Sequence, residues 1–128
     1  DSYGLAKAMP DFVREANSQS LTCIQLEHAK AIENVDALLA VDDIDVYFIG
    51  PSDLSQSMGY PGNPKAPPVK EAIEKTLARI VAAGKTPGMP ATADNLEQVI
   101  ASGCRYIYTH LPKLFGAGAG AFLAKGRG

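Results

Sequence analysis

The sequence predicts an α/β fold with a parallel sheet, because β-rich apolar runs alternate with segments of helical period. Four runs of strand type occur, at residues 21–27, 44–50, 85–91 and 104–111. The segments between them place apolar residues three and four positions apart, which is the spacing of one helical face. The chain has 128 residues, a common size for one domain, so we expect a single domain over residues 1–128.

The first half of the chain contains two of these strand–helix units. A short helix is expected at residues 10–16, before the strand at 21–27. That strand has few polar interruptions, which is typical of a strand buried on both faces. The next helix, at residues 31–41, carries its apolar stripe on Ile32, Val35, Leu38 and Leu39. The strand at 44–50 leads towards a Pro/Gly loop at residues 60–67.

The strongest helix pattern covers residues 68–84. Pro68 suits a first helical turn, because its missing N–H would have no partner there. Gly84 suits the left-handed residue that ends a helix. The apolar stripe of this helix consists of Val69, Ile73, Leu77, Ile80 and Val81.

The last part of the chain has weaker signals. The prolines in the strand at residues 85–91 suit the end of a strand better than its centre. Asp94 and Glu97 predict a capping pair for a helix that stops at Gly103. The fourth strand, at 104–111, is followed by a Gly/Ala-rich tail that is only marginally helical by propensity.

Composition excludes several classes of function. The net charge is -2 and the pI is about 5.6, so nucleic acid and anionic membranes are poor partners. No apolar stretch approaches the roughly 20 residues of a membrane span. Cys23 and Cys104 each lie in an apolar run, which predicts buried, reduced thiols. There is no Cys/His cluster for zinc, and the sparse cysteines suit a reducing compartment, so we expect a cytoplasmic protein.

Two strands end in a carboxylate, and this pattern predicts a site. Glu27 ends the first strand, and Asp53 follows the second in the turn Gly50-Pro51-Ser52-Asp53. Ligands of parallel α/β sheets bind at the carboxyl ends of the strands, where neighbouring strands would bring both acids together. Two adjacent carboxylates need a shared proton or a cation, and their oxygens suit Mg²⁺ or Mn²⁺.

Further residues belong to the same predicted site. Gln25 shares strand parity with Glu27, so its amide is placed to hold a substrate oxygen. The backbone N–H groups at Ser52 and Asp53 form a possible carboxylate-binding turn. On spacing alone, however, Glu27 and Asp53 are equally well explained as exposed strand-end and cap acids.

Other polar residues have simpler explanations. His28 is expected to begin a helix or to lie on the surface, and the acids at 42–45 to form a solvated loop. Tyr60 and its loop suit either a mobile rim or a plain turn. For His110, loop structure and a place in the site are equally supported, so it receives no role.

The chain resembles the metal-dependent pyruvate aldolases of the HpcH/HpaI type over residues 3–107. Four motifs carry this resemblance: Q-x-E at 25–27, E-N-[VL]-D at 33–36, F-I-G-P-S-D-L-S at 48–55 and G-Y-P-G-N-P at 59–64. Their combination is specific, although each motif alone would be weak. The sequence after the last strand departs from the family, because Tyr-Thr-His-Leu-Pro stands at 108–112 where the family usually has a motif like A-L-G-S-D.

The resemblance implies a (β/α)8 barrel, of which this chain covers about strands five to eight. It implies that Glu27 and Asp53 ligate Mg²⁺ or Mn²⁺, with Co²⁺ as a further candidate, while Gln25, Ser52 and Asp53 contact substrate. The implied reaction forms or cleaves a carbon–carbon bond to pyruvate, with an aldehyde or a 2-keto-3-deoxy acid as the other substrate. The family's keto-binding arginine and proton-transfer histidine belong to the first half of the barrel, so no catalytic residue is assigned here.

Two rival interpretations stay open at this stage. The chain is either half of such an aldolase or a non-catalytic half-barrel that associates with itself or with the missing N-terminal half. A homo-oligomer is therefore also expected. A small acid-pocket domain of the receiver type is a third and weaker reading, because a suitable lysine after a strand is lacking and Lys85 precedes its strand.

Overall fold

The computed structural model describes residues 6–126. Residues 3–5, where the family-like segment begins, and the last two residues of the tail lie outside this range. Four strands and seven helices occur between residues 6 and 126. In chain order they are α1 (Met9–Gln19), β1 (Cys23–Leu26), α2 (Ala29–Glu33), α3 (Val35–Leu39), β2 (Val46–Ile49), α4 (Pro51–Ser57), α5 (Pro67–Ala82), β3 (Thr86–Pro90), α6 (Leu96–Ala101), β4 (Tyr106–Tyr108) and α7 (Leu111–Gly126).

The strands form one parallel sheet in the order β1-β2-β3-β4, so each strand pairs with the next one along the chain. Gln25 lies opposite Phe48, Phe48 opposite Gly88, and Gly88 opposite Tyr106. The prediction of an α/β fold with a parallel sheet is confirmed. All four strands end at the same edge, and this edge carries the predicted site.

The core lies between one face of the sheet and the helices that connect the strands. Strand residues of one parity point into it, including Leu26, Tyr47 and Ile49, which are at most 1% exposed. The helices contribute the predicted apolar stripes, of which Val35, Val69 and Ile80 are fully buried. Burial of these side chains is the main source of stability for this layer.

The opposite face of the sheet is covered only in part. Tyr106 and Tyr108 of β4 are each 41% exposed, and Cys23 and Gln25 of β1 are exposed as well. The expectation that the first strand is buried on both faces is therefore wrong, because helices cover only one face of it. The expectation of a buried Cys23 is wrong for the same reason, whereas Cys104 is buried; both thiols are free.

Two helices differ from their predicted extents. The helix expected at 31–41 is split at Asn34, whose φ of -99° and ψ of 18° leave the helical region between α2 and α3. The apolar stripe nevertheless faces the core as predicted. The Gly/Ala-rich tail forms the 16-residue helix α7, although its propensity is marginal. Neither α1 nor α7 has a buried residue.

The predicted capping pair of Asp94 and Glu97 is wrong. Helix α6 begins after Asn95, and no side chain caps its first turn. The Oδ1 atom of Asn95 instead accepts hydrogen bonds from the backbone N–H of Thr92 (2.7 Å) and from its hydroxyl (3.1 Å). The side chain of Asn95 therefore reaches back three residues to Thr92 and closes the turn that leads into this helix. No helix between residues 6 and 126 has the length and hydropathy to cross a membrane.

Candidate active site

Gln25 and Glu27 lie together at the carboxyl end of β1. They share strand parity, and the Nε2 atom of Gln25 donates a hydrogen bond to Oε2 of Glu27 at 2.6 Å. Gln25 is exposed and Glu27 is half-buried. This hydrogen bond orients the amide and uses only the Oε2 atom of Glu27. The other carboxylate oxygen, Oε1, stays available for a ligand.

Gly50 allows the end of β2 to approach these two side chains. A Cβ atom at this position would lie 3.1 Å from Nε2 of Gln25 and 3.2 Å from Oε2 of Glu27. Both contacts are tighter than ordinary van der Waals contacts. The φ of Gly50 is -97°, which any residue can adopt, so the limited space, and not the backbone conformation, favours glycine here.

Ser52 and Asp53 occupy the first turn of α4, which starts directly after β2. Pro51 stands at the start of the helix, where its missing N–H costs nothing. The first helical hydrogen bond runs from the N–H of Leu54 to the carbonyl of Gly50 (2.9 Å), so the amides of Ser52 and Asp53 precede it. Both residues are exposed. The second strand end thus delivers a carboxylate and two backbone donors next to Gly50.

The donor set fits a hard divalent cation. Register pairing of Leu26 with Ile49 brings Glu27 level with Gly50, three residues before Asp53. Both candidate ligands are carboxylates, the ligand type that Mg²⁺ and Mn²⁺ prefer. Within residues 6–126 no group of three or more His, Cys, Asp or Glu side chains could hold a metal. The described residues therefore offer a pair of ligands, and Mg²⁺ usually completes such a pair with water and substrate oxygens.

A cavity of about 960 Å³ opens over this edge of the sheet. Gln25, Gly50, Ser52 and Asp53 all line it, whereas Glu27 is not part of the lining and is hydrogen-bonded to Gln25. The rest of its lining comes from strands β2 to β4, from helices α4 to α7 and from the loops between them, and it includes Phe48, Lys65, Lys70, Glu74, Asp94, Tyr108, His110 and Lys113.

An aromatic row on the open face of the sheet leads into this cavity. The ring of Phe48 stacks on that of Tyr108 with centroids 5.4 Å apart and planes 23° apart, and Tyr106 meets Phe48 edge-on at 6.1 Å. The ring of Tyr108 in turn meets His110 edge-on at 5.1 Å. The row therefore runs from the middle of the sheet to the strand ends.

Sequence reasoning did not assign His110 and overlooked Lys113, and the structure places both on the cavity. A signal for His110 was present, because it continues the two-residue period of Tyr106 and Tyr108 beyond the end of β4. No comparable signal exists for Lys113, since only the direction of α7 brings it to the cavity. His110 lies in the loop between β4 and α7 and also lines the cavity.

The remaining polar candidates have structural roles. His28 begins α2, and its Nδ1 accepts a hydrogen bond from the N–H of Lys30 at 3.2 Å, as expected for a helix start. The carboxylate of Asp45 accepts from the N–H of Thr22 at 2.8 Å, which joins the starts of β1 and β2. Tyr60 is 38% exposed in a loop whose last part, at residues 64–65, lines the cavity.

Comparison with protein families agrees with this arrangement. The family model described as HpcH/HpaI aldolase/citrate lyase matches residues 3–107. The chain belongs to this family. The resemblance of the four motifs is therefore confirmed, and the matched segment includes both strand ends of the candidate site.

Relatives of known name match part of their own length. Over 81 residues the chain is 47% identical to a 4-hydroxy-2-oxo-heptane-1,7-dioate aldolase of Salmonella arizonae. This match covers 63% of this chain and 31% of that enzyme. Among solved structures, an HpcH/HpaI aldolase/citrate lyase family protein of Burkholderia cenocepacia superposes with a TM-score of 0.88 at 27% identity, over 98% of this chain and 50% of that one.

A second solved structure gives the same picture. The HpcH/HpaI aldolase of Desulfitobacterium hafniense superposes with a TM-score of 0.75 at 27% identity, over 92% of this chain and 47% of that one. The chain thus spans about half the length of these HpcH/HpaI structures, and its match covers about a third of the Salmonella enzyme.

Proposed function

We propose that this chain is the strand-five-to-eight half of a (β/α)8 barrel and carries the metal and pyruvate site of a class II aldolase. The support for the barrel is an all-parallel sheet in sequential order, helices on one face only, and neighbours that extend to about twice its length. In this proposal residues 1–128 act as one domain, and the open face of the sheet belongs to the barrel interior.

The single observation that carries the assignment is the contact between Gln25, Glu27 and Gly50 beside the first turn of α4. We assign Glu27 and Asp53 as ligands of a divalent metal, either Mg²⁺ or Mn²⁺, with Co²⁺ as a further candidate. When bound, such a metal would act as a Lewis acid towards the keto and carboxylate oxygens of pyruvate.

The protein side chains orient the substrate in this proposal. One N–H of the Gln25 amide is used by Glu27, which leaves the second to hold a substrate oxygen. We assign the backbone amides of Ser52 and Asp53, in the first turn of α4, to the pyruvate carboxylate, because neither amide is needed for the first helical hydrogen bond. No residue among 6–126 is assigned to proton transfer, so we assign that step and keto-oxygen binding to the other half of the barrel.

The proposed substrates are pyruvate and an aldehyde, or the corresponding 4-hydroxy-2-oxo or 2-keto-3-deoxy acid in the cleavage direction. Support comes from the name of the Salmonella relative, whose substrate is a 4-hydroxy-2-oxo diacid. The alternative, a non-catalytic interaction fragment, is not favoured, because the named relatives are aldolases and the motifs of the site are intact.

Complementation with a relative tests this function. We would mix the chain with a fragment of the Salmonella arizonae aldolase that precedes its matched segment, and measure pyruvate release from 4-hydroxy-2-oxoheptanedioate. The mixture should release pyruvate with Mg²⁺ or Mn²⁺, lose this activity with EDTA, and exceed either part alone. Glu27→Gln should abolish the activity, because it removes a ligand charge while it keeps the side-chain shape.

Asp42→Ala provides the matched control, since it removes an exposed acid that precedes β2, at the opposite edge of the sheet from both strand ends. This variant should release pyruvate at the rate of the unchanged chain. Activity that resists EDTA, or a Glu27→Gln mixture that works as well as the control, would contradict the proposed function.

A further inference from the structure

His110 and Lys113 lie beyond residue 107, where the match to the HpcH/HpaI family ends. The family pattern therefore gives neither residue a role. Both nevertheless line the same cavity as Gln25, Ser52 and Asp53. Any substrate longer than pyruvate that occupies the cavity would extend past the metal site towards its other walls.

The imidazole of His110 is held in place by aromatic contacts. Its ring meets the ring of Tyr108 edge-on, with centroids 5.1 Å apart and planes at 89°. Tyr108 is itself stacked on Phe48 from the centre of the sheet. The orientation of His110 is thus supported from β2 through β4, although the side chain stays exposed to a ligand.

Lys113 lies one helical turn beyond His110. Its backbone N–H donates to the carbonyl of His110 at 2.9 Å, which fixes the start of α7. Its side chain forms no salt bridge with any residue between 6 and 126, whereas Lys70, on the same cavity, pairs with Glu74 at 3.7 Å. The ammonium group is therefore available to an incoming anion.

The charges around the cavity favour an acidic ligand at this position. Its lining contains the lysines 65, 70 and 113 and the acids Asp53, Glu74 and Asp94. The Lys70–Glu74 pair is internally neutral, and Asp53 is assigned to the metal. Two positive charges, Lys65 and Lys113, then remain against one negative charge, Asp94. The imidazole N–H of His110 adds a further hydrogen-bond donor.

We propose that His110 and Lys113 form a subsite for the carboxylate at the far end of an acidic substrate. The subsite rests on the proposed function, because the near end of that substrate is the 2-keto acid held at Gln25 and the metal. An ammonium group and an imidazole N–H are both donors that a carboxylate accepts. The subsite makes the site selective for diacids over acids with an apolar end.

Two ligands of matched length test the subsite. 2-Oxoglutarate and 2-oxopentanoate share the 2-keto acid, and only the first carries a far carboxylate. We would titrate each into the full chain with Mg²⁺, by calorimetry and by NMR of the imidazole resonances. The chain has two histidines, so His28 at the start of α2 serves as an internal reference.

The chain should bind 2-oxoglutarate about fivefold more tightly than 2-oxopentanoate, the scale expected of exposed charge pairs. The resonances of His110 should shift with 2-oxoglutarate more than those of His28. His110→Gln and Lys113→Ala should each reduce the preference, and the double variant should bind both ligands equally. Lys125→Ala, which removes an exposed lysine from the last turn of α7, should keep the preference.

The two possible failures differ in their pattern. Equal affinity for both ligands in the unchanged chain, or a preference that survives the double variant, would overturn the subsite and leave the metal and pyruvate site standing. Saturable binding of neither ligand would overturn the proposed function, and the subsite with it.

Discussion

Gly50 determines how closely the second strand end approaches the side chains of the first. A methyl group there would press on Gln25 and Glu27 at 3.1–3.2 Å, which these side chains can relieve by moving a few tenths of an ångström. The backbone conformation itself tolerates alanine. The cost of a substitution should therefore fall on the position of the ligands and not on folding.

We predict that Gly50→Ala weakens Mn²⁺ binding about tenfold, the scale of a disturbed ligand shell. The free energy of unfolding should change by less than about 1 kcal/mol. Calorimetry and urea denaturation measure the two quantities. Gly116→Ala is the control, because nothing lies within 4 Å of a Cβ at that helical position. Unchanged metal affinity in Gly50→Ala would contradict the importance of this contact.

The two cysteines differ in exposure. Cys23 is exposed on β1, whereas Cys104 is 1% exposed in the core. Burial raises the pKa of the Cys104 thiol, while the hydrogen bond from Ser102 and the charge of Arg105 oppose this effect. Desolvation also raises the pKa of Cys23. We therefore predict that a thiol reagent labels one cysteine of the native chain, Cys23, and labels Cys104 only after unfolding.

The raised pKa of Cys104 has a consequence for stability at alkaline pH. The stability that the neutral, buried Cys104 thiol adds to the folded state is fully present below the pKa of the unfolded thiol, about 8.5. It is lost as pH rises through the higher folded pKa. The free energy of unfolding of Cys104→Ala should consequently decline less steeply above pH about 8.5 than that of the unchanged chain. Equal slopes in denaturation curves from pH 8 to 10 would contradict this assignment.

Residues of the site could be predicted where strand parity alone decides their direction. Gln25 and Glu27 lie on one face because two residues separate them, and the hydrogen bond between them follows from that spacing. The closeness of Gly50 depends on the register between β1 and β2, and no local pattern encodes it. Lys113 depends in the same way on the direction of α7.

Elements were predictable where an apolar stripe repeats over several turns. Helix α5 follows its predicted span closely, because Pro67 and Pro68 begin it and Gly84, with φ of 69°, follows its end. The break at Asn34 was missed, because the apolar stripe continues across it unchanged. Helix α4 was predicted only as a turn at Ser52 and Asp53, since seven residues are too few for a periodic signal.

Gly103 joins α6 to β4 and is required for two reasons. Its φ is 93°, in the left-handed region, and a Cβ there would lie 2.6 Å from Cγ2 of Val81 on α5. Gly84 has a φ of 69° but open space around it. We predict that Gly103→Ala lowers the free energy of unfolding by about 1–3 kcal/mol, and by more than Gly84→Ala does.

The additional loss in free energy of unfolding in Gly103→Ala, compared with Gly84→Ala, measures the contact with Val81. Adding Val81→Ala to Gly103→Ala should remove most of this additional loss, because Val81 is 46% exposed and contributes little burial of its own. Chemical denaturation of the single and double variants measures it. If the second substitution restored nothing, backbone strain alone would explain the cost of Gly103→Ala.

The whole molecule is a sheet with one covered and one open face. The parallel α/β class could be predicted, because strands and helices alternate along the chain. The open face could not be predicted from the apolar run of β1, since that run suits a strand covered on both sides. Tyr106 and Tyr108, each 41% exposed, leave apolar surface on that face, which the proposed barrel would cover from its other half.

The central claim is that Glu27 and Asp53, from two neighbouring strand ends, bind one divalent cation. The most direct measurement is a calorimetric titration of Mn²⁺ into the chain and its Glu27→Ala, Asp53→Ala and Asp42→Ala variants. We predict one saturable site per chain that is lost in the first two variants and kept in Asp42→Ala. Binding that is unchanged in both Glu27→Ala and Asp53→Ala would contradict the account.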